Sequence, residues 1–300
     1  MRPSIYITRK IPNYLLEPYK NKFKFRMWQK EEEPVPKDVL YEEAKNVDGI
    51  LCLLTEEIDY DFLSHASHLK IIANMAVGYD NIDILTAEKF GITITNTPDV
   101  LTETTADLTF ALLMATARRL VEASQFIYNN RWGDWSPFEL AGTDIFNKTI
   151  GIVGMGRIGT AVARRAKGFD MDVLYHNRTS NKRAETELGA KYVSLSTLLE
   201  ESDFVVSLLP LSKETKKFFN KEAFSQMKRD GIFINVSRGG VVDEVALYEA
   251  LRNGTIRAAG LDVFEKEPID STHPLTALPN VVLTPHIGSA TRETREKMLT

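Results

Sequence analysis

The sequence predicts an α/β protein built from two parallel-sheet domains, and three observations predict it. Short apolar segments alternate with helix-spaced stretches from Ser4 to Thr95, as in parallel sheets with crossover helices. The alternation breaks at Asn96-Thr97-Pro98 and restarts at Thr149, and 300 residues are enough for two cores. The restart carries T-I-G-I-V-G-M-G-R-I-G (149–159), in which Gly154, Gly156 and Gly159 follow an apolar run with the spacing G-x-G-x-x-G.

In chain order, residues 4 to 8 read as a first strand and Lys30 to Lys37 as a charged, proline-broken loop. Ile50 to Leu54 and Leu69 to Asn74 are the next strands, with a helix at Tyr60 to Ala66 between them. Residues 76 to 80 form a loop, a helix runs through Ile84 and Phe90, and Ile92 to Thr95 is a strand. One long helix is expected from Glu103 to Tyr128, apolar in its first half and so buried between layers. Trp132, Trp135 and Phe138 make the following loop too aromatic to stay wholly exposed, so it is expected to cover a partner surface. After Thr149, strands fit at 171–175, 204–209, 231–236, 258–263 and 281–284, with helices around 182–188, 195–200, 221–228 and 243–252. The chain stops inside a helical stretch with no cap, which suggests a terminal helix cut short.

A net charge of -4 gives no electrostatic reason to expect nucleic acid or an anionic membrane as partner. The N-terminus lacks the apolar core of a signal peptide, and no apolar run approaches the ~18 residues of a spanning helix, so a cytoplasmic location is expected. The single cysteine, Cys52, excludes an intrachain disulfide, and five scattered histidines show no metal-ligand spacing, so no metal is expected.

The glycine spacing has a mechanical meaning. Gly154 allows a tight turn, Gly156 lets a pyrophosphate approach the backbone, and Gly159 lets helix pack on strand. The helix N-terminus then offers free N–H groups and partial positive charge to the phosphates. The alternative is a glycine-rich turn that binds nothing. An acidic residue about 20 positions on would select NAD, but Asp170 and Asp172 lie at the start of the next strand, not at its carboxyl end. That end carries His176, Asn177, Arg178, Thr179 and Ser180, with no carboxylate. The Arg178 fork suits a phosphate monoester, and Thr179 and Ser180 add hydroxyl donors. NADP(H) is therefore the expected cofactor, with NAD(H) second.

Arg238, Glu267 and His286 follow three strands of this second sheet. Singly each has an ordinary reading, as a turn arginine, a surface charge and a core histidine. Together, at one sheet edge, they suit the reduction of a 2-keto acid. Arg238 binds the carboxylate and polarises the keto oxygen. His286 protonates that oxygen, and Glu267 beside the imidazole favours its charged, proton-donating form. Backbone N–H groups of Val77-Gly78 would add an anion nest from the other domain.

These motifs, with A-N-M-A-V-G-Y-D-N-I-D (73–83), T-N-T-P-D-V-L-T-E-T-T-A-D (95–107), I-N-V-S-R-G-G-V-V-D (234–243), A-G-L-D-V-F-E-K-E-P (259–268) and P-H-I-G-S-A-T (285–291), resemble the D-isomer-specific 2-hydroxyacid dehydrogenases. The glyoxylate/hydroxypyruvate reductase branch is the most similar, over essentially the whole chain. The resemblance implies a Rossmann-type dinucleotide-binding domain (98–285) inserted into a flavodoxin-like substrate domain (1–97 with 286–300), with hinge closure over the site. It implies Arg238, Glu267 and His286 as the catalytic triad and Val77 and Gly78 as substrate contacts. It implies cofactor contacts at Arg157, Ile158, Leu209, Pro210, Ser237, Asp262 and Gly288. It also implies a homodimer joined through the cofactor domain, with the aromatic loop reaching the neighbour's site. The alternatives are a 2-ketogluconate reductase and, in another class, a nucleotide-binding transcriptional co-repressor of the same fold.

Overall fold

The computed structural model describes residues 2–66 and 68–300. The chain divides into two compact units, Met1–Leu101 with Ala290–Thr300, and Thr102–Ser289.

In the first unit, β1 (Ser4–Ile7), β2 (Lys24–Met27), β3 (Gly49–Cys52), β4 (Ile71–Asn74) and β5 (Thr93–Thr95) form a sheet of order β2-β1-β3-β4-β5. All neighbours are parallel. This is the flavodoxin-like order, with its switch point between β1 and β3. The helices are α1 (Lys37–Ala44), α2 (Tyr60–His65) and α3 (Ile84–Lys89). Asp59 and Asp83 cap α2 and α3, accepting from Phe62 N at 2.8 Å and Thr86 N at 3.0 Å. Phe62, Leu63, Ile58 and Ile72, fully buried, centre the core.

Two elements of this unit were not expected. The strand β2, K-F-R-M, has only half its residues partly covered and carries two cations, as an edge strand does. The charged loop ends at Pro36, and α1 starts there with only Leu40 and Ala44 buried, so its apolar signal is thin.

In the second unit, the long helix is two. It divides into α4 (Thr102–Ala117) and α5 (Leu120–Tyr128), with Arg119 left-handed at φ 53° between them. The Ala117 carbonyl accepts from Thr143 N at 2.8 Å in place of a helical N–H. Gly142 comes so close that a Cβ there would lie 2.3 Å from the same oxygen. A distant segment therefore ends α4, which contains no local breaker. The buried hydroxyls of Thr109 and Thr116 are satisfied by carbonyls one turn back, each at 2.7 Å.

The sheet of this unit comprises β6 (Thr149–Val153), β7 (Asp172–His176), β8 (Lys191–Tyr192), β9 (Phe204–Ser207), β10 (Ile232–Asn235), β11 (Ala258–Leu261) and β12 (Val281–Leu283). Its order is β12-β11-β10-β9-β6-β7-β8, with all pairs parallel. This is the doubly wound dinucleotide-fold order with one added strand, and its switch point lies between β6 and β9. Between the strands run α6 (Arg157–Lys167), α7 (Lys182–Leu188), α8 (Leu195–Glu201), α9 (Lys221–Gln226) and α10 (Glu244–Arg252). One face buries Phe110, Tyr175 and Ile234, and the other Phe219, Phe224 and Phe233. Each fully buried aromatic of this kind contributes roughly 2–3 kcal/mol relative to exposure.

The last helix, α11 (Arg292–Leu299), belongs to the first unit, where Tyr14 bonds Glu296 and the Tyr19 hydroxyl reaches Thr300 O at 3.3 Å. The unit borders at 101/102 and 289/290 lie later than the expected 97/98 and 285/286. The second border has a clear cause. Asp262 holds His286 N, Ile287 N and Gly288 N at 2.8–2.9 Å, so these residues stay with the second sheet. No helix among the described residues is long and apolar enough to cross a membrane.

Candidate active site

The glycine loop leaves β6 at the switch point. Gly154 has φ 107°, and a Cβ there would lie 2.7 Å from Leu208 O and 3.2 Å from Leu209 N, so only glycine fits beside β9. A Cβ at Gly159 would lie 2.4 Å from Gly154 O, so its absence lets α6 pack on the turn. At Gly156 a Cβ would meet nothing within 4 Å. The side chain missing there leaves an open cradle. Gly156 is the N-cap of α6 and offers no side-chain bond to its first N–H groups. Side chains cap α7, α8, α9 and α10 (Asn181, Ser194, Asn220 and Asp243). A helix N-terminus with no side-chain cap, the dipole's positive end and the room left at Gly156 fit the diphosphate of a dinucleotide. Arg157 and Ile158 open the helix, and Leu209 and Pro210 follow β9 across the switch point.

Asn177 and Asn181 turn inward to the loop. Asn177 Oδ1 accepts from Met155 N at 2.7 Å, and Asn181 Nδ2 donates to Met155 O at 3.1 Å. Asn177, expected as a cofactor contact, thus has its side chain engaged in bracing the glycine turn. Arg178, Thr179 and Ser180 are exposed just beyond the carboxyl end of β7. Asp172 pairs in register with Thr149 at the amino end of the strand, away from Arg178. Arg178 offers a cation at the carboxyl end, with the hydroxyls of Thr179 and Ser180 following it in sequence.

The triad comes from three successive loops at the same edge. His286 Nδ1 lies 2.7 Å from Glu267 Oε2, each side chain about one-third exposed (32% and 34%). Glu267 Oε1 accepts from Phe264 N at 2.9 Å, which fixes the carboxylate. Burial would raise the Glu267 carboxyl, but the hydrogen bond and charge of His286, the Phe264 N–H and the Arg238 charge outweigh it and hold the group below its ordinary value. His286 is left-handed, at φ 52°, and its N–H is held by Asp262 O at 2.9 Å and Thr284 O at 3.1 Å.

Arg238 follows β10. Asn235 Nδ2 donates to Arg238 O at 3.0 Å, and Asn235 Oδ1 accepts from Ser237 N at 3.1 Å and Ser237 Oγ at 2.8 Å. Next in line, Gly239 touches the Phe264 backbone, where a Cβ would fall 1.8 Å from Phe264 C. That close approach brings the Arg238 loop against the loop of Glu267. Both Asp262 oxygens are taken up, by Thr284 Oγ1 (2.6 Å) and Ile287 N (2.8 Å) on one and Gly288 N (2.8 Å) on the other. Burial, the largest influence, raises this carboxyl despite those donors and the nearby His286 charge. Expected as cofactor contacts, Asp262 and Gly288 are engaged with each other in seating the His286 loop.

Val77 and Gly78 lie in the first unit, partly buried beyond β4. Asn235, Thr284 and Gly239 were not singled out from the sequence. Asn235 left a signal, as a polar residue 1% exposed at the end of an apolar strand. Gly239 left none, because its neighbour Phe264 is remote in sequence.

The D-isomer specific 2-hydroxyacid dehydrogenase, NAD binding domain family matches residues 110–288. A glyoxylate reductase of Korarchaeum cryptofilum is 51% identical over 299 residues, covering 99% of this chain and 90% of that protein. A glyoxylate reductase of Thermococcus onnurineus is 50% identical over 302 residues, with 99% and 90% covered. A solved NADPH-dependent glyoxylate/hydroxypyruvate reductase of Sinorhizobium meliloti, in complex with NADP and malonate, superposes with a TM-score of 0.86 at 36% identity, covering 100% of this chain and 91% of that one. The chain belongs to the D-isomer-specific 2-hydroxyacid dehydrogenase family.

Proposed function

We propose that the chain reduces small 2-keto acids, glyoxylate and hydroxypyruvate first, to D-2-hydroxy acids, with NADPH preferred over NADH. The observation that carries this is the 2.7 Å His286–Glu267 pair beside Arg238, on the sheet edge that also carries the glycine cradle. Relatives at about half identity named glyoxylate reductase support the substrate class.

The nicotinamide, when bound, supplies the hydride. Arg238 holds the substrate carboxylate and draws electron density toward the keto oxygen. In the first unit, the Val77-Gly78 loop offers backbone N–H groups suited to a carboxylate. With Nδ1 engaged by Glu267, His286 presents Nε2 to the keto oxygen and donates the proton that completes the alcohol. Asp262 and Asn235 keep those two side chains in place through their loops. Arg178, helped by Thr179 and Ser180, selects the 2′-phosphate. The reading is tested with a panel of 2-keto acids, each with NADPH and NADH, followed at 340 nm. Turnover on none of them, or equal use of both cofactors, would refute the corresponding part.

The chain acts as a homodimer joined through the second unit. Along α5 and the loop after it, Tyr128, Trp132, Trp135 and Phe138 are 69–86% exposed, and α5 buries none of its residues. An apolar stripe of this size calls for a covering surface.

A further inference from the structure

The loop Met75 to Asp80 leaves β4 at the carboxyl edge of the first sheet, and two amide side chains grip it. Asn96 Nδ2, just past β5, donates to Val77 O at 2.9 Å. Asn74 Nδ2, at the last residue of β4, donates to Gly78 O at 2.8 Å. These are the carbonyls of two successive peptide units. A trans peptide is planar, so its N–H points opposite to its C=O. Holding Val77 O and Gly78 O therefore fixes the directions of the Gly78 and Tyr79 N–H groups. Neither N–H donates to a protein acceptor among the described residues. Two donors on adjacent peptides suit the two oxygens of a carboxylate.

Asn74 is 1% exposed in a strand that is otherwise Ile-Ile-Ala. A buried amide is costly unless every polar atom is matched. Here they are matched: Oδ1 accepts from Cys52 Sγ at 3.5 Å, and Nδ2 also reaches Asn81 Oδ1 at 3.4 Å. Burial pushes the Cys52 thiol up to about 12, so it remains a donor. Asn81 in turn donates to Leu53 O at 3.1 Å and Glu56 O at 2.9 Å, tying the loop after β3 into the same frame. The strand thus keeps a polar residue where an apolar one would pack, and its output is the orientation of one peptide.

We propose that Asn74 and Asn96 are positioning residues for substrate, holding the Val77–Gly78 and Gly78–Tyr79 peptides so that their N–H groups receive the 2-keto acid carboxylate. This rests on the reading that the Val77-Gly78 loop binds that carboxylate, and it moves the donor pair from the N–H groups of Val77 and Gly78 to those of Gly78 and Tyr79. The test compares the parent with Asn96→Ala and Asn74→Asp, each with NADPH. KM for glyoxylate should rise about tenfold in each variant, the scale of a lost hydrogen bond to a charged group, with kcat and the KM for NADPH unchanged. Parent-like KM for glyoxylate in a folded variant would overturn the proposal, as would KM for NADPH rising in step or a fall in kcat alone. Should Asn74→Asp fail to fold, Asn96→Ala, at a half-buried position, decides. A second readout separates the two layers. In 15N-glycine-labelled parent with NADPH, the Gly78 amide should shift on adding oxamate. Without that shift the carboxylate reading fails and the proposal with it. A shift in the parent alongside parent-like KM in the variants sinks the proposal alone.

Discussion

Replacing Gly156 by alanine should separate cofactor binding from folding. The residue is at φ -84° and ψ -155°, an extended conformation open to any side chain. An added Cβ would meet nothing within 4 Å. The fold then loses only the difference between glycine and alanine at an N-cap, about 0.5–1 kcal/mol, or a Tm shift of a few degrees. The new methyl would occupy the cradle over the first N–H groups of α6. A diphosphate kept from one or two charge-assisted hydrogen bonds loses about 1.5–3 kcal/mol, a rise in Kd of roughly 10- to 100-fold. Gly159→Ala is the contrast, because its Cβ would fall 2.4 Å from Gly154 O. Overpacking of that kind costs about 1–3 kcal/mol and should show in Tm first. The assay is NADPH titration by nucleotide fluorescence, with thermal unfolding of the same samples. A Gly156→Ala protein with parent Tm and parent Kd would refute the cradle.

His286→Ala should lower kcat about 100-fold or more while NADPH binding survives, since the lost group moves a proton and does not hold the nucleotide; unchanged kcat would remove it from the scheme. Glu267→Gln should lower kcat while NADPH binding survives, because the 2.7 Å bond that orients the imidazole loses its charged acceptor; parent-like kcat would dismiss the pairing. The sign for stability follows from the lowered carboxyl. The pairing stabilises above the ordinary glutamate value of about 4.3 and is lost as pH falls through the lower folded value, so acid unfolding of Glu267→Gln should lose that component. Arg178→Ala should cut the NADPH-over-NADH ratio of kcat/KM by about tenfold or more, as expected for a charged hydrogen-bond partner of a phosphate; an unchanged ratio would assign the selectivity elsewhere. Trp135→Glu with Phe138→Glu should turn a dimer into a monomer in sedimentation velocity, and a monomeric parent would dismiss the interface.

The sequence by itself determined the two sheets, the place of the glycine loop and the set of residues beyond each strand. Strand periodicity and glycine spacing are local, so they can be read without the fold. It was silent where remote segments decide local structure. The helix expected over 103–128 carries no proline or glycine, and its break at Arg119 comes from Gly142 and Thr143 reaching the Ala117 carbonyl. The edge strand β2 and helix α1 escaped notice because each buries too little to leave a pattern.

At the site, the candidate residues were legible as types, but their division of labour was not. Asp262, Gly288 and Asn177, expected as cofactor contacts, also make hydrogen bonds within the protein that the sequence did not announce. A carboxylate or an amide in a sequence does not say which N–H groups surround it. That depends on which loops meet, and here Gly239 against Phe264 makes two of them meet. The 2.7 Å pairing of His286 with Glu267 joins residues nineteen positions apart on separate strands' loops. Only the tertiary structure could place them, because hydrogen-bond geometry is set by the packing of the sheet beneath.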